Sequence, residues 1–273
     1  MVKTNFKNIA YLIILIIIAF TSCEKVVIID VKSSGSKVVV QGNLNNDSVP
    51  YLVQLDNSVS YYADNVFPPI LGAQVKISDN AGHAEVLREL GKGYYQTDSI
   101  RGVPGRTYFL QIISNGNTYT SYGTMPNPVP IDSFLLRPTL NRFTHDTTGY
   151  RVTCKFTDPI GTGNYYKVVI SSKDTAAIGT TTGRILSDKY TDGQQLSVTF
   201  RTNLIANDSV SIQVQSITKS TFDFYNTLTN AEGEVGASQF LSSLPANPTN
   251  NISNGGLGYF AVYAETKKTI VIP

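Results

Sequence analysis

The chain has 273 residues, with 22 Lys plus Arg against 20 Asp plus Glu, two cysteines and no tryptophan. Lys3 and Lys7 account for the whole excess of positive charge, so from residue 23 onward the two signs balance at 20 each. A neutral body without a Lys/Arg run excludes a nucleic-acid surface, which depends on phosphate neutralisation, and two cysteines exclude a disulfide-built scaffold.

Lys3 and Lys7 form a basic start, Ile9 to Phe20 is almost unbroken hydrocarbon, and Phe20-Thr21-Ser22-Cys23 closes the run with small residues before a thiol. A membrane-spanning helix needs about 20 apolar residues, more than this run supplies. The pattern is that of a lipoprotein signal peptide over residues 1–22, with Cys23 lipidated after cleavage and its acyl chains serving as the membrane anchor. Plain secretion and a membrane span are the less favoured readings. Residues 23–36 then become more Ser/Gly-rich and read as a tether.

From Lys37 the texture is β, with runs of Val, Ile, Tyr and Thr broken by Gly, Asn, Asp and Pro. Strands are predicted at 37–44, 51–56, 73–78, 84–87, 93–97, 107–114 and 118–123. Ser78 to Gly82 has the residues of a chain reversal, Asn115-Gly116 those of a tight hairpin, and Val103-Pro104-Gly105 those of a turn needing positive φ at glycine. This punctuation predicts an N-terminal antiparallel sandwich of the immunoglobulin or transthyretin kind over 37–125.

Met125-Pro-Asn-Pro-Val-Pro130 is stiff and extended, and a linker is placed at 126–130. A C-terminal β-rich domain over 131–273 follows, with strands expected at 132–137, 150–157, 165–171, 195–200 and 209–216. Between Ser220 and Asn230 the residues Phe222, Tyr225 and Leu228 recur at helical spacing, predicting one helix on a sheet with Ser220 as its cap. An Asn/Gly-rich stretch, 247–258, leads to two further strand-like segments at 259–263 and 268–273. The fold class expected is mainly β: two antiparallel sandwich-like domains with one short helix.

Chemistry-bearing sets are sparse. His83 and His145 stand far apart, and neither is accompanied by a cysteine or acidic cluster with metal-ligand spacing, so no metal or cofactor is expected. His145-Asp146 lacks a nucleophile elbow, since no Gly-x-Ser-x-Gly occurs, which leaves a hydrolase as the remote reading. Cys154, in an alternating segment, reads as a small buried hydrophobe. Tyrosine is the more suggestive group: Tyr61-Tyr62, Tyr94-Tyr95 and Tyr165-Tyr166 are paired, so in a strand one ring of each pair faces out while its neighbour packs inward. These six are the candidate interaction residues.

Thr21-Ser-Cys-Glu-Lys25, Val38-Val-Val-Gln-Gly42, Gly93-Tyr-Tyr-Gln-Thr-Asp98 and Val103-Pro-Gly-Arg-Thr-Tyr108 occur in that order. They are followed by Met125-Pro with Ile131-Asp-Ser133, by Phe156-Thr-Asp-Pro159 with Gly163-Asn-Tyr-Tyr166, and by Asn247-Pro through Gly256-Leu-Gly-Tyr-Phe260. The ordered set resembles the Bacteroidota lipoproteins of domain-of-unknown-function family 4249 over essentially the whole mature chain. The resemblance carries no catalytic residues. It implies an outer-membrane lipoprotein, often encoded beside TonB-dependent transporters, and Glu24 followed at once by Lys25 leaves the leaflet open.

The function expected is therefore that of a lipid-anchored, non-enzymatic accessory protein of an outer-membrane uptake system, docking a TonB-dependent transporter or its cargo. The alternative is a free-standing surface binding module, adhesin-like or specific for a glycan or peptide.

Overall fold

Alternating burial marks most strands: in β1 (Val38–Leu44), Val40, Gly42 and Leu44 are buried while Gln41 and Asn43 are exposed. The computed structural model describes residues 35–47, 50–60, 66–144, 146–172, 182–231 and 247–273. The first half continues with β2 (Leu52–Asn57), β3 (Gln74–Asp79), β4 (Ala84–Val86), β5 (Arg88–Gly91), β6 (Tyr94–Gln96), β7 (Thr107–Ser114) and β8 (Asn117–Thr124). The second half holds β9 (Ile131–Leu140), β10 (Thr147–Thr157), β11 (Tyr165–Ser172), β12 (Thr182–Ser187), β13 (Gln195–Leu204) and β14 (Ser209–Ile217). Helix α1 (Lys219–Ala231) and the long β15 (Leu257–Val271) complete it. The protein is mainly β and sandwich-like, with one helix and no closed barrel among the described residues.

Within the compact unit Ser36–Pro273, eight strands form one sheet in the order β12-β11-β14-β15-β1-β2-β6-β5. Strands from before and after residues 126–130 thus meet in a single spine. They join where β1 runs parallel to β15, with Val40 opposite Gly258 and Gly42 opposite Phe260. Gly258 has φ of 91°, and a Cβ there would lie 2.0 Å from the Val40 carbonyl oxygen, so only glycine admits this approach.

Two smaller sheets cover the inner face of the spine: β4-β3-β7-β8 and β13-β10-β9. The first core joins Val40, Leu55, Ile77, Tyr108 and Leu110 to Phe260 and Val262 of β15. The second contains Cys154, Phe156, Val168, Ile212 and Phe200, with Ile270 of β15 against it and Ile272 within it. The prolines at 126–130 span the two cores, because Met125 is buried in the first and Val129 in the second.

Turn chemistry follows residue type. Asn115 and Gly116 both take positive φ, 48° and 76°, as a tight hairpin between β7 and β8 requires. Gly105, at φ 85°, follows Pro104 in a turn closed by Arg106 N–H donating to Val103 O. The helix begins one residue before the predicted start, and its cap is Thr218 rather than Ser220: Thr218 Oγ1 accepts from Thr221 N–H at 3.3 Å. The correction is local, since Thr218 directly follows β14 and its hydroxyl is the one that reaches the first turn.

Candidate functional site

The outer face of the spine carries a row of long polar side chains where strands β11, β14 and β15 pair Lys167 with Gln215 and Gln215 with Glu265. The neighbouring row places Tyr165 beside Ile217 and Ile217 beside Tyr263. Helix α1 crosses this face by stacking aromatic rings on it. Phe222 meets Tyr165 at 5.0 Å between centroids and Phe224 meets Tyr259 at 4.3 Å, both in tilted geometries that favour ring pairs. Tyr225 lies 5.7 Å from Tyr259, its hydroxyl donating to the Tyr259 hydroxyl at 3.3 Å.

A pocket of about 260 Å³ is left between α1 and the sheet, lined by Asn43, Lys167, Gln215, Tyr225, Tyr259 and Tyr263. Ile217 and Ala261 also line it, and the surface it leaves exposed is mostly polar. The Lys167 ammonium sits over the Tyr225 ring, 3.7 Å from its centroid. Such a contact contributes about 2 kcal/mol when desolvated, but it does not neutralise the charge. Among the described residues the ion pairs are His83–Asp79, Arg88–Asp98, Arg106–Asp79 and Lys219–Asp223, so Lys167 has no carboxylate partner there.

The electrostatics follow from that geometry. Burial lowers the Lys167 pKa to about 8, a disfavouring of the charged form on the order of 3 kcal/mol. Burial also raises Tyr225 and Tyr263 well above the ordinary phenol range, so both hydroxyls keep their protons. Glu265 is raised by burial, partly offset by the Gln215 amide, which donates to Glu265 Oε2 at 3.4 Å. The pocket therefore offers one poorly compensated cation within a set of neutral amide and phenol groups.

Two other polar clusters are occupied by the fold itself. Asp158, Asp188 and Asp192 bring carboxylate oxygens within 4.8 Å of one another. Tyr166 O–H and Gly193 N–H donate to Asp158, Gly163 and Asn164 N–H to Asp188, and Gly161 N–H to Asp192. The three acids thus tie the 158–164 and 188–193 turns together. Near β3, buried Asp79 accepts from Arg106 at 2.9 Å and from the Ala81 and His83 amides, with His83 Nδ1 at 3.0 Å. Ser99 Oγ donates to Glu85, which also holds the Asp98, Ser99 and Ile100 amides.

Cys23, Tyr61, Tyr62 and His145 lie outside the described residues. Tyr94 is 37% exposed on β6, while Tyr95 is buried, donating its O–H to Ile70 O and accepting from Ala73 N–H. Tyr165 is half-buried under Phe222, and Tyr166 is buried against Phe156 with its hydroxyl on Asp158. The pairs therefore alternate across the sheet, and only one ring of each described pair faces the outer side. The structure does not gather them into one site. It joins Lys167, two residues beyond Tyr165 on the same face, to Tyr225, Tyr259 and Tyr263, none of which the pairing pattern singles out. The readable signal is Tyr225 on the apolar side of the predicted helix.

Cys154 is fully buried in the second core, and burial pushes its thiol up to about 12. Among the described residues no helix is long and apolar enough to cross a membrane.

The model of a protein family described as Domain of unknown function (DUF4249) matches residues 24–269. No curated protein matches the chain. Among solved structures, the crystal structure of chicken CNTN1 FN1-FN3 domains matches at 8% identity and a TM-score of 0.27, over 67% of this chain and 61% of that one.

Proposed function

Because this chain belongs to the family described as Domain of unknown function (DUF4249), we propose that it is a Bacteroidota lipoprotein serving an outer-membrane uptake system, docking a TonB-dependent transporter or its cargo without catalysing a reaction. The observation that carries this reading is Cys23, set directly behind the Ile9 to Phe20 run and Thr21-Ser22. The formally neutral body supports a protein–protein or ligand role over adhesion to nucleic acid. Affinity purification of the tagged full-length protein in mild detergent recovers a TonB-dependent transporter on this reading. Recovery of the bait alone counts against it.

The pocket beneath α1 favours a second reading, a ligand-binding module on the same lipid anchor. Small-molecule sites are concave clefts in which a few convergent polar groups fix the ligand, and this small pocket converges such groups on a half-buried lysine with no ion-pair partner among the described residues. Ligand binding by the purified protein, with no transporter present, separates the two readings.

A further inference from the structure

We propose that the pocket beneath α1 binds the carboxylate of a small hydroxyl-bearing organic acid, with Lys167 as its counter-charge and the surrounding phenols and amides receiving its hydroxyls. The proposal rests on the ligand-binding reading above and names its ligand class. It does not depend on the transporter.

Four observations carry it. First, an ammonium brought under a helix and left without a carboxylate among the described residues is costly unless something supplies the missing charge. Glu265 does not supply it, for Gln215 stands between the two in the ladder and takes up Glu265 with its own amide. Second, the pocket holds one cation, so a single negative charge neutralises it. A carboxylate matches that count, whereas a phosphate dianion would bring an unpaired second charge into a half-closed site.

Third, Asn43, Gln215, Tyr225, Tyr259 and Tyr263 supply neutral donors and acceptors around the ammonium. With Tyr225 and Tyr263 held in the protonated form, they suit hydroxyl groups rather than further charges. The mostly polar exposed surface argues against a long fatty acid. Fourth, about 260 Å³ corresponds to the liquid volume of roughly nine waters. That is room for a molecule the size of a sugar acid and too little for an oligomer.

The sheet fixes Lys167, Gln215 and Tyr263 in register, and α1 fixes Tyr225 by ring stacking, so the groups are held in place before any ligand arrives.

The test uses the full-length protein in mild detergent, with D-glucuronate and D-galacturonate as probes and D-glucose and D-galactose as their neutral counterparts. Calorimetry at pH 7 is expected to show at least one acid binding tenfold more tightly than its neutral sugar. Lys167→Met, confirmed as folded by circular dichroism, is expected to lose at least tenfold in affinity for that acid. Tyr225→Phe, which keeps the ring and removes the hydroxyl, is expected to lose severalfold. As a readout independent of affinity, the 13C-methyl resonance of reductively methylated Lys167 should shift with the acid and stay fixed with the neutral sugar. Equal binding of acid and neutral sugar, no binding of either acid, or undiminished binding by Lys167→Met overturns the proposal. A failed transporter pull-down with acid binding intact overturns only the first reading of function.

Discussion

Gly258 stands opposite Val40 where β15 and β1 run parallel, and the two backbones approach so closely that a Cβ on Gly258 would lie 2.0 Å from the Val40 carbonyl oxygen. Gly258→Ala adds both that collision and the strain of positive φ. It is expected to cost about 2–4 kcal/mol, read as a lowered urea midpoint. Gly116, at φ 76° but in open space where an added Cβ would meet nothing within 4 Å, is the control. Gly116→Asn is expected to cost no more than about 1 kcal/mol.

Lys167→Met removes a half-buried, desolvated charge and keeps much of the side-chain volume. At pH 7 it is expected to raise stability by about 1–3 kcal/mol in the absence of ligand. The sign with pH follows from the lowered folded pKa of about 8 against an ordinary 10.5. Between those values the unfolded chain binds the proton that the folded protein has released, so the parent gains stability as pH rises and the advantage of the variant shrinks. Tyr225, Tyr259 and Tyr263 also face the Lys167 pocket, and Glu265 lies on the same strand as Tyr263. Comparing parent and variant between pH 7.5 and 9.5 by thermal melts isolates the lysine, because the other groups are common to both.

Asp79 is buried, and burial opposes its charge. The His83 and Ala81 amides with the Arg106 and His83 side chains outweigh that effect and hold the carboxyl below its ordinary range. Its contribution is present above the unfolded carboxylate pKa and lost as pH falls through the folded value. Asp79→Asn is expected to cost about 2–4 kcal/mol at neutral pH and to flatten the acid limb of stability against pH, measured by urea unfolding from pH 7 down to 3.

Cys154, with its thiol pushed up to about 12 by burial, is expected to resist Ellman's reagent in the folded protein and to react in denaturant. With Cys23 acylated, native protein titrates no thiol and denatured protein one. A second thiol in denaturant shows that Cys23 is free. Cys23→Ala is expected to leave an uncleaved or mislocalised precursor, and normal outer-membrane fractionation of that variant contradicts the lipid anchor.

Most strands are legible in the sequence because their burial alternates with period two, as in Tyr108, Leu110 and Ile112 of β7. β5 is not, since Arg88, Glu89 and Leu90 are all exposed and show no alternation, and it pairs only with β6 at the sheet edge. The single strand β15 reads as two segments because Glu265 to Thr269 is polar; there it leaves the first core before reaching the second. The pocket is illegible for a different reason. Lys167, Tyr225 and Tyr263 come from three elements, and only the helix crossing and the long-range strand order bring them together. Lys167 by itself reads as one more exposed strand lysine.

The position of β15 between β14 and β1 has a kinetic consequence. In a chain emerging from its N-terminus, β1 and β14 both present an open edge until Leu257–Val271 arrives, and the first core lacks Phe260 and Val262 until then. Such late closure of contacts far apart in sequence slows folding. The eight-stranded spine stays open at both of these edges until its last strand pairs.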